Sequence, residues 1–428
     1  MEWIFLKSLN MVFSKFNNII EVTQTTVALY NALTDKTIFL QKSDLEMPSD
    51  DLRQKMAKHG FIVQSDLDET EQFLEYARNV EYSKDPFHLI INPTINCNFN
   101  CWYCYEKHVF SKMEQSTVVK IDKLVEHLYC KHDNIQISFF GGEPLLYYKS
   151  VMLPILEHTK NYAQVMNKAF SVNLTTNGFL FNEKMIKEMK RYNFNGAQIT
   201  LDGNREEHNK IRFLKSGEGS YDKIVENIKQ LARHGVPVRL RINSTNENIN
   251  SLEYITSDFS DLDVDTLKNI HIDIHIVWQE RYKHILEKKI PGVISVFKEN
   301  RLKAAKMTFR EFCYADRRNQ CVVHYNGDIY KCTAIDFENT ERDGFLNDEG
   351  AIVWENDSLE KRMESKFNNV KCRDCSILPL CHGGCSSFRL KNRNACVYND
   401  DSLAMQRAIR DRISYNLSMS GSCYTKLL

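Results

Sequence analysis

The sequence predicts an α/β protein organised around a run of βα units. Three observations predict it. Between residues 86 and 305, apolar β-branched segments alternate with amphipathic helical segments, which implies a parallel sheet with right-handed crossovers. Six such strands can be counted, too few for a closed eight-stranded barrel. A tight cysteine triplet follows the first of them, at the strand end where α/β folds place their chemistry.

Composition narrows the possibilities. A chain of 428 residues exceeds one ordinary domain, and its 43% hydrophobic and 11% aromatic content supports a large core. Lys+Arg and Asp+Glu are both 56, so no net charge argues for nucleic acid. The longest apolar runs fall far short of a membrane span. The opening Met1-Glu-Trp-Ile-Phe-Leu lacks a basic start and a cleavage site, and Met11 is an alternative start. Thirteen cysteines without a secretion signal point to the cytoplasm and to metal ligation rather than disulfides. Three lie in the triplet, eight lie between Cys313 and Cys396, and Cys130 and Cys423 remain. Eight is the ligand count of two fully protein-bound clusters.

Residues 1–85 carry no chemical constellation. Strands are expected at 23–30 and 37–41 around a turn, a capped helix at 49–60, a strand at 61–64 and a helix at 69–79. This reads as a small winged-helix-like module, or as a cover for the barrel bottom. The six strands of the next part are expected at 88–92, 135–140, 170–175, 197–201, 236–242 and 270–277, with helices such as 116–131, 182–191 and 221–234 between them. A Lys/Arg-rich helix at 299–306 closes this part, and a final helix is expected at 400–416. Cys130 falls within a helix and reads as a buried small hydrophobe, Cys423 as a free thiol in the tail.

The triplet is Cys97, Cys101 and Cys104, spaced C-x3-C-x2-C, with Tyr103 before the last. Three thiolates underfill a structural zinc site, which wants four ligands. They suit a cubic iron–sulfur cluster with one iron left open. A zinc knuckle borrowing His108 is the alternative. After the second strand comes Gly141-Gly142-Glu143-Pro144, where glycines admit a close approach and a carboxylate can accept from an ammonium group. After the third comes Thr175-Thr-Asn-Gly178, by itself a weak turn signal. The fourth ends in Thr200-Leu-Asp-Gly203, with Arg212 twelve positions after Thr200. Arg239 and Arg241 alternate along the fifth strand and share one face, where they either pair with carboxylates or bind substrate. Trp278-Gln-Glu280 ends the sixth, as pocket lining or as barrel rim.

Taken together, the triplet, Gly141-Gly-Glu-Pro144 and Thr200-Leu-Asp-Gly203 resemble the radical S-adenosylmethionine enzymes. The cysteine-rich C-terminal part resembles their SPASM branch, which modifies peptides and proteins, and the resemblance covers roughly residues 85–400. It implies a partial (β/α)6 TIM-type barrel at 86–308, an N-terminal peptide-recognition-like module at 1–85 and a SPASM iron–sulfur domain at 309–428. It implies cofactor contacts from Tyr103, Gly141, Gly142, Glu143, Pro144, Thr200 and Arg212. Glu143 would serve the amino group of S-adenosylmethionine, and Arg212, with its planar fork, the carboxylate. The family more often has Ser where Thr200 stands.

Further implications concern the C-terminal cysteines. Residues 322–332 read as a β-hairpin turning at Asn326-Gly327. The pattern C-x13-G-x4-C, then C-x2-C-x5-C-x3-C, then C, resembles the SPASM signature. It implies Cys313, Cys321, Cys332 and Cys385 on one auxiliary cluster, and Cys372, Cys375, Cys381 and Cys396 on another. From spacing alone, two zinc ribbons also satisfy these residues. With three [4Fe–4S] clusters, S-adenosylmethionine and an external flavodoxin- or ferredoxin-type reductant, the implied activity is oxidative cross-linking of a ribosomally made precursor peptide, by thioether or carbon–carbon bond, through a 5′-deoxyadenosyl radical. A leader sequence would bind the N-terminal module by strand addition. The alternatives are a radical enzyme acting on a protein side chain or small molecule, and a non-catalytic zinc-binding interaction protein. Sulfatase-maturing relatives carry an aspartate base directly after the cysteine matching Cys332; here Thr333 stands there, and the catalytic base stays unnamed.

Overall fold

The computed structural model describes residues 10–306 and 312–419. Met1–Leu6 and Cys423 lie outside them. The described residues divide into two compact units, and the cysteine-rich segment contributes to both.

The first unit comprises 10–83, 312–318 and 360–419. Strands β1 (Met11–Phe13) and β5 (Ile62–Gln64) pair antiparallel. Strands β2 (Asn17–Glu21), β3 (Thr26–Asn31) and β4 (Lys36–Gln41) form a separate antiparallel sheet. Helix Asp50–Lys58 starts where the Ser49 hydroxyl accepts from Leu52 N, a capping interaction, with acids in its first turn and lysines in its last. Gly60, at φ +80°, lets the chain turn into β5. Helix Glu69–Glu81 is capped by Asp68. The apolar faces of these elements share one core with the C-terminal segment: Phe16, Tyr30, Phe73 and Leu74 pack with Phe312, Leu378, Ile409 and Ile413. Within this unit the Lys366 ammonium is buried between Glu81 (2.9 Å) and Asp316 (2.8 Å). The last helix spans Ser402–Met419.

The second unit comprises 84–306 and 319–359. Its central strands are β6 (Phe87–Ile91), β7 (Asn134–Phe139), β8 (Ala169–Thr176), β9 (Phe194–Leu201), β10 (Val238–Ser244) and β11 (Ile270–Ile276), parallel and in sequential order. Sequential order means that every crossover turns the same way, the winding of a TIM-type barrel. Strand β12 (Lys303–Lys306) adds beside β11. Beside β6 lie β13 (Gln320–Val323), β14 (Asp328–Tyr330), β15 (Gly344–Leu346) and β16 (Ile352–Trp354). The sheet therefore ends at β12 and β16 and does not close on itself. The expected hairpin is present as β13–β14, with Gly327 at φ +90°.

Parallel sheets are usually apolar on both faces. Here only one face is. Ile135, Ile137, Phe139, Val172, Leu174, Ile199, Leu201, Leu240 and Ile242 are buried. The alternate residues Gln136, Ser138, Ser171, Asn173, Thr175, Gln198, Thr200 and Arg241 are half-buried and polar. The inner face of the partial barrel is thus built to receive a polar guest.

Two expectations are corrected. The stretch 299–306 is not a helix: helix Lys283–Glu299 ends, Arg301 adopts φ +64°, and β12 pairs with β11, so sheet pairing overrides helix-favouring composition. Cys130 is exposed, because it sits past the last turn of helix Gln115–Tyr129 rather than on its buried stripe.

Replacing Lys366 by Met leaves Glu81 and Asp316 buried without their cation. The loss expected is about 3–5 kcal/mol, read as a lower urea midpoint. A loss under about 1 kcal/mol would show that the triad is not the tie within this unit.

Candidate active site

The chain leaving β6 crosses directly over Gly141 and Gly142. A Cβ at Gly141 would lie 2.3 Å from the Thr94 carbonyl oxygen, and one at Gly142 would lie 2.3 Å from that of Asn96. The glycines are needed because the backbone of the cysteine loop rests on them. Gly142 N donates to Thr94 O (3.1 Å) and Glu143 N donates to Asn96 O (2.9 Å). Thr94 and Ser111 knot the loop from behind. Cys97 is buried; Cys101 and Cys104 are half-buried.

The Glu143 carboxylate is fully buried and accepts from Thr176 Oγ1 (2.7 Å), Asn177 N (2.8 Å) and Leu145 N (3.0 Å). Burial pushes its pKa up to about 7 although these donors oppose the shift. Asn177 in turn donates to Asn98 Oδ1 (2.7 Å) and lies 3.8 Å from the Cys97 sulfur. Glu143 therefore ties the end of β8 to the cysteine loop. Pro144 is buried and opens the turn that follows. The weak Thr175-Thr-Asn-Gly178 signal marks this tie; nothing in the sequence alone showed what it contacts.

Arg212 and Asp202 form a buried ion pair, and the Tyr103 hydroxyl donates to the Asp202 carboxylate (2.7 Å) while accepting from Arg212 Nη2 (2.8 Å). Thr200 sits half-buried on the polar face, in register with Arg241. Gln279 donates to the Tyr103 carbonyl (2.9 Å), and the exposed Trp278 ring stacks on Tyr105. The ends of β6, β7, β8, β9 and β11 thus converge on one loop.

Burial pushes the Cys97 thiol up to about 12 and the Cys104 thiol up to about 11, and raises Cys101. Cys97 and Cys104 each feel the Cys101 thiol, Cys101 feels Asp202, and the Arg212 charge pulls all three down. Thiolates here need a metal to hold them deprotonated. Among the described residues no three His, Cys, Asp or Glu side chains converge on a single ion. A four-iron cluster does not require that, since each thiolate binds a different corner. The donor set fits such a cluster with one corner unclaimed.

In the first unit, Cys372, Cys375, Cys381 and Cys396 line one pocket together with Arg389, Leu378 and Tyr398. Arg389, buried and unforeseen in the sequence, donates to the Cys372 sulfur (3.3 Å). Burial pushes Cys381 up to about 12. Cys313 and the exposed Cys385 belong to this unit, whereas Cys321 and Cys332, at the two ends of the β13–β14 hairpin, belong to the second. Asp336 pairs with Lys107 (3.5 Å).

Residues 91–257 match the radical SAM superfamily. The chain carries a radical SAM domain. Such a domain uses S-adenosylmethionine and an iron–sulfur cluster. The chain is 24% identical over 335 residues to a cysteine-type anaerobic sulfatase-maturating enzyme of Clostridium novyi, covering 69% of this chain and 87% of that one. It is 21% identical over 429 residues to the radical SAM cyclopropyl synthase TigE of Paramaledivibacter caminithermalis, covering 90% and 85%. Its fold resembles native anSMEcpe with bound AdoMet (TM-score 0.60, 18% identity, 79% of this chain and 100% of that one). It also resembles Streptococcus suis SuiB bound to precursor peptide SuiA (TM-score 0.52, 14% identity, 92% and 99%). No helix among the described residues is long and apolar enough to cross a membrane.

Within this radical SAM domain, Gly142→Ala should push the cysteine loop off its seat. Alkylation of Cys97 in the metal-free protein, followed by mass spectrometry, is expected to accelerate about tenfold, the equivalent of ~1.4 kcal/mol of easier opening. An unchanged rate would contradict the seating role.

Proposed function

We propose that the chain matures a ribosomally made peptide by oxidative cross-linking, through a thioether or a carbon–carbon bond. The observation that carries this reading is the seated three-cysteine loop in one chain with eight C-terminal cysteines, a set large enough for further electron transfer. Similarity to SuiB bound to its precursor peptide supports a peptide substrate. The half-buried polar residues of the inner face would meet it.

In this reading Cys97, Cys101 and Cys104 hold the cluster that meets S-adenosylmethionine. Cys313, Cys321, Cys332 and Cys385 hold a second, and Cys372, Cys375, Cys381 and Cys396 a third. When bound, cluster and cofactor supply a 5′-deoxyadenosyl radical able to take hydrogen from an unactivated carbon. The chain's residues supply position. Gly141 and Gly142 fix the height of the cysteine loop, and Glu143 fixes its tilt through Asn177. Tyr103 and Asp202 hold the Arg212 guanidinium beside Cys101, where a cofactor carboxylate would meet it. Thr200 lines the same face. The three-stranded sheet of the N-terminal module has two edge strands, β2 and β4, able to accept a leader strand. A flavodoxin- or ferredoxin-type protein would deliver the electrons. Thr333 in place of an aspartate base weighs against sulfatase maturation.

Protein purified without oxygen should contain about twelve irons, and replacing the three loop cysteines by Ala should remove about a third. Co-expression with short reading frames from its genomic neighbourhood should yield a peptide lighter by two hydrogens, detected by mass spectrometry. Stoichiometric zinc and a colourless protein would overturn this reading.

A further inference from the structure

Three arginines bear on the inner face, Arg239 near the start of β10, Arg241 in its middle and Arg212 beyond the end of β9, and two are neutralised. Arg212 pairs with Asp202. Arg239 pairs with Asp273 at 2.6 Å, and Asp273 is shared with His271 at 3.2 Å. The third, Arg241, has no carboxylate within ion-pair distance among the described residues. Its guanidinium donates Nε to Asn243 Oδ1 at 2.8 Å, which fixes the plane of the fork and leaves the terminal nitrogens free. Its strongest charged or titratable neighbours are Tyr103, Tyr105 and the compensated Arg212–Asp202 pair. Arg241 is half-buried, so water screens it poorly.

A second unsatisfied group stands beside it. His275 is in register with Asn243 on the adjacent strand, and its Nε2 is buried without a hydrogen-bond partner. Burial, followed by the Arg241 charge, holds this imidazole neutral near pH 7, with its pKa lowered to about 4. An unpaired guanidinium in the middle of β10 and an unpaired ring nitrogen near the end of β11 thus share the inner face. Desolvated cations in proteins are almost always paired, so the vacant partner is an anion that arrives with a ligand. A single uncompensated charge matches a monoanion. A phosphate dianion would need a second free cation, and Arg239 is already committed to Asp273.

We propose that Arg241, oriented by Asn243 and flanked by His275, is a carboxylate-recognition site that binds an aspartate or glutamate side chain of the substrate. The assignment rests on the peptide reading only for the source of the carboxylate. The other source is the cofactor's own carboxylate. Arg212 is the better placed for that one, because its charge acts directly on Cys97, Cys101 and Cys104.

The test uses the full chain with clusters and S-adenosylmethionine loaded. N-acetyl-aspartyl and N-acetyl-glutamyl methylamides are titrated beside their asparagine and glutamine counterparts, with binding read by saturation-transfer NMR. Wild type should bind an acid about tenfold more tightly than its amide, as a charge-assisted hydrogen bond implies. Arg241→Gln should abolish that preference, and Arg241→Lys should keep part of it, since Lys keeps the charge but not the fork. Cofactor affinity, by equilibrium dialysis, should stay within about twofold in both variants. Three results would overturn the proposal: no acid preference in wild type, a preference that survives in Arg241→Gln, or a tenfold loss of cofactor affinity in Arg241→Lys. Because the probes are single residues, the acid preference reports on the site even if the natural substrate proves not to be a peptide.

Discussion

The packing of Thr94–Asn96 onto Gly141 and Gly142 is the contact on which the rest of the site depends. Any side chain at either glycine would occupy the space of a carbonyl oxygen. The loop bearing Cys97, Cys101 and Cys104 therefore has its height set by backbone contact with the neighbouring strand end. Glu143 extends the same contact to a third strand through Thr176 and Asn177. Tyr103 carries it to the fourth through Asp202 and Arg212. Positions fixed by several strand ends at once are hard to shift singly, which is what a reactive centre requires of its scaffold.

The second constraint is the two-sided character of the sheet. Ile137, Val172, Ile199 and Leu240 face a packed apolar layer. Ser138, Asn173, Thr200 and Arg241, on the opposite face, remain half-buried. A closed barrel would fill its interior with bulky side chains. A sheet that ends at β12 and β16 leaves the inner face available, and its polar residues define what can lie there. Charge on this face is mostly cancelled locally, by Asp202 against Arg212 and by Asp273 against Arg239.

Much of this was legible in the sequence, for physical reasons. The six strands announced themselves because one face of each is β-branched and apolar, and the observed bounds differ from the expected ones by a few residues at most. Helices at Asp50–Lys58 and Glu69–Glu81 showed through their caps, Ser49 and Asp68. What stayed hidden depends on long-range pairing. Strand β12 is four residues of helix-favouring composition that become a strand only because β11 has a free edge. The parallel pairing of β13 with β6 joins residues more than two hundred positions apart, which no local pattern encodes. The same holds for the site. Cys97, Cys101 and Cys104 could be chosen from spacing, and Gly141 and Gly142 from type. That the glycines serve the cysteine loop's own backbone, and that Arg239 is neutralised while Arg241 is not, depends on contacts between strands distant in sequence.

In the function proposed above, Cys97, Cys101 and Cys104 carry a cluster with a corner open to S-adenosylmethionine. The most direct measurement is electron paramagnetic resonance of the reduced protein, in a variant whose eight cysteines from Cys313 to Cys396 are replaced by serine. One reduced four-iron signal should remain, and adding S-adenosylmethionine should change its g-values, because the cofactor would bind the unclaimed iron. A signal that S-adenosylmethionine leaves unaltered, or a variant that holds no iron while Cys97, Cys101 and Cys104 are intact and the fold persists, would rule out an open-cornered cluster on this loop.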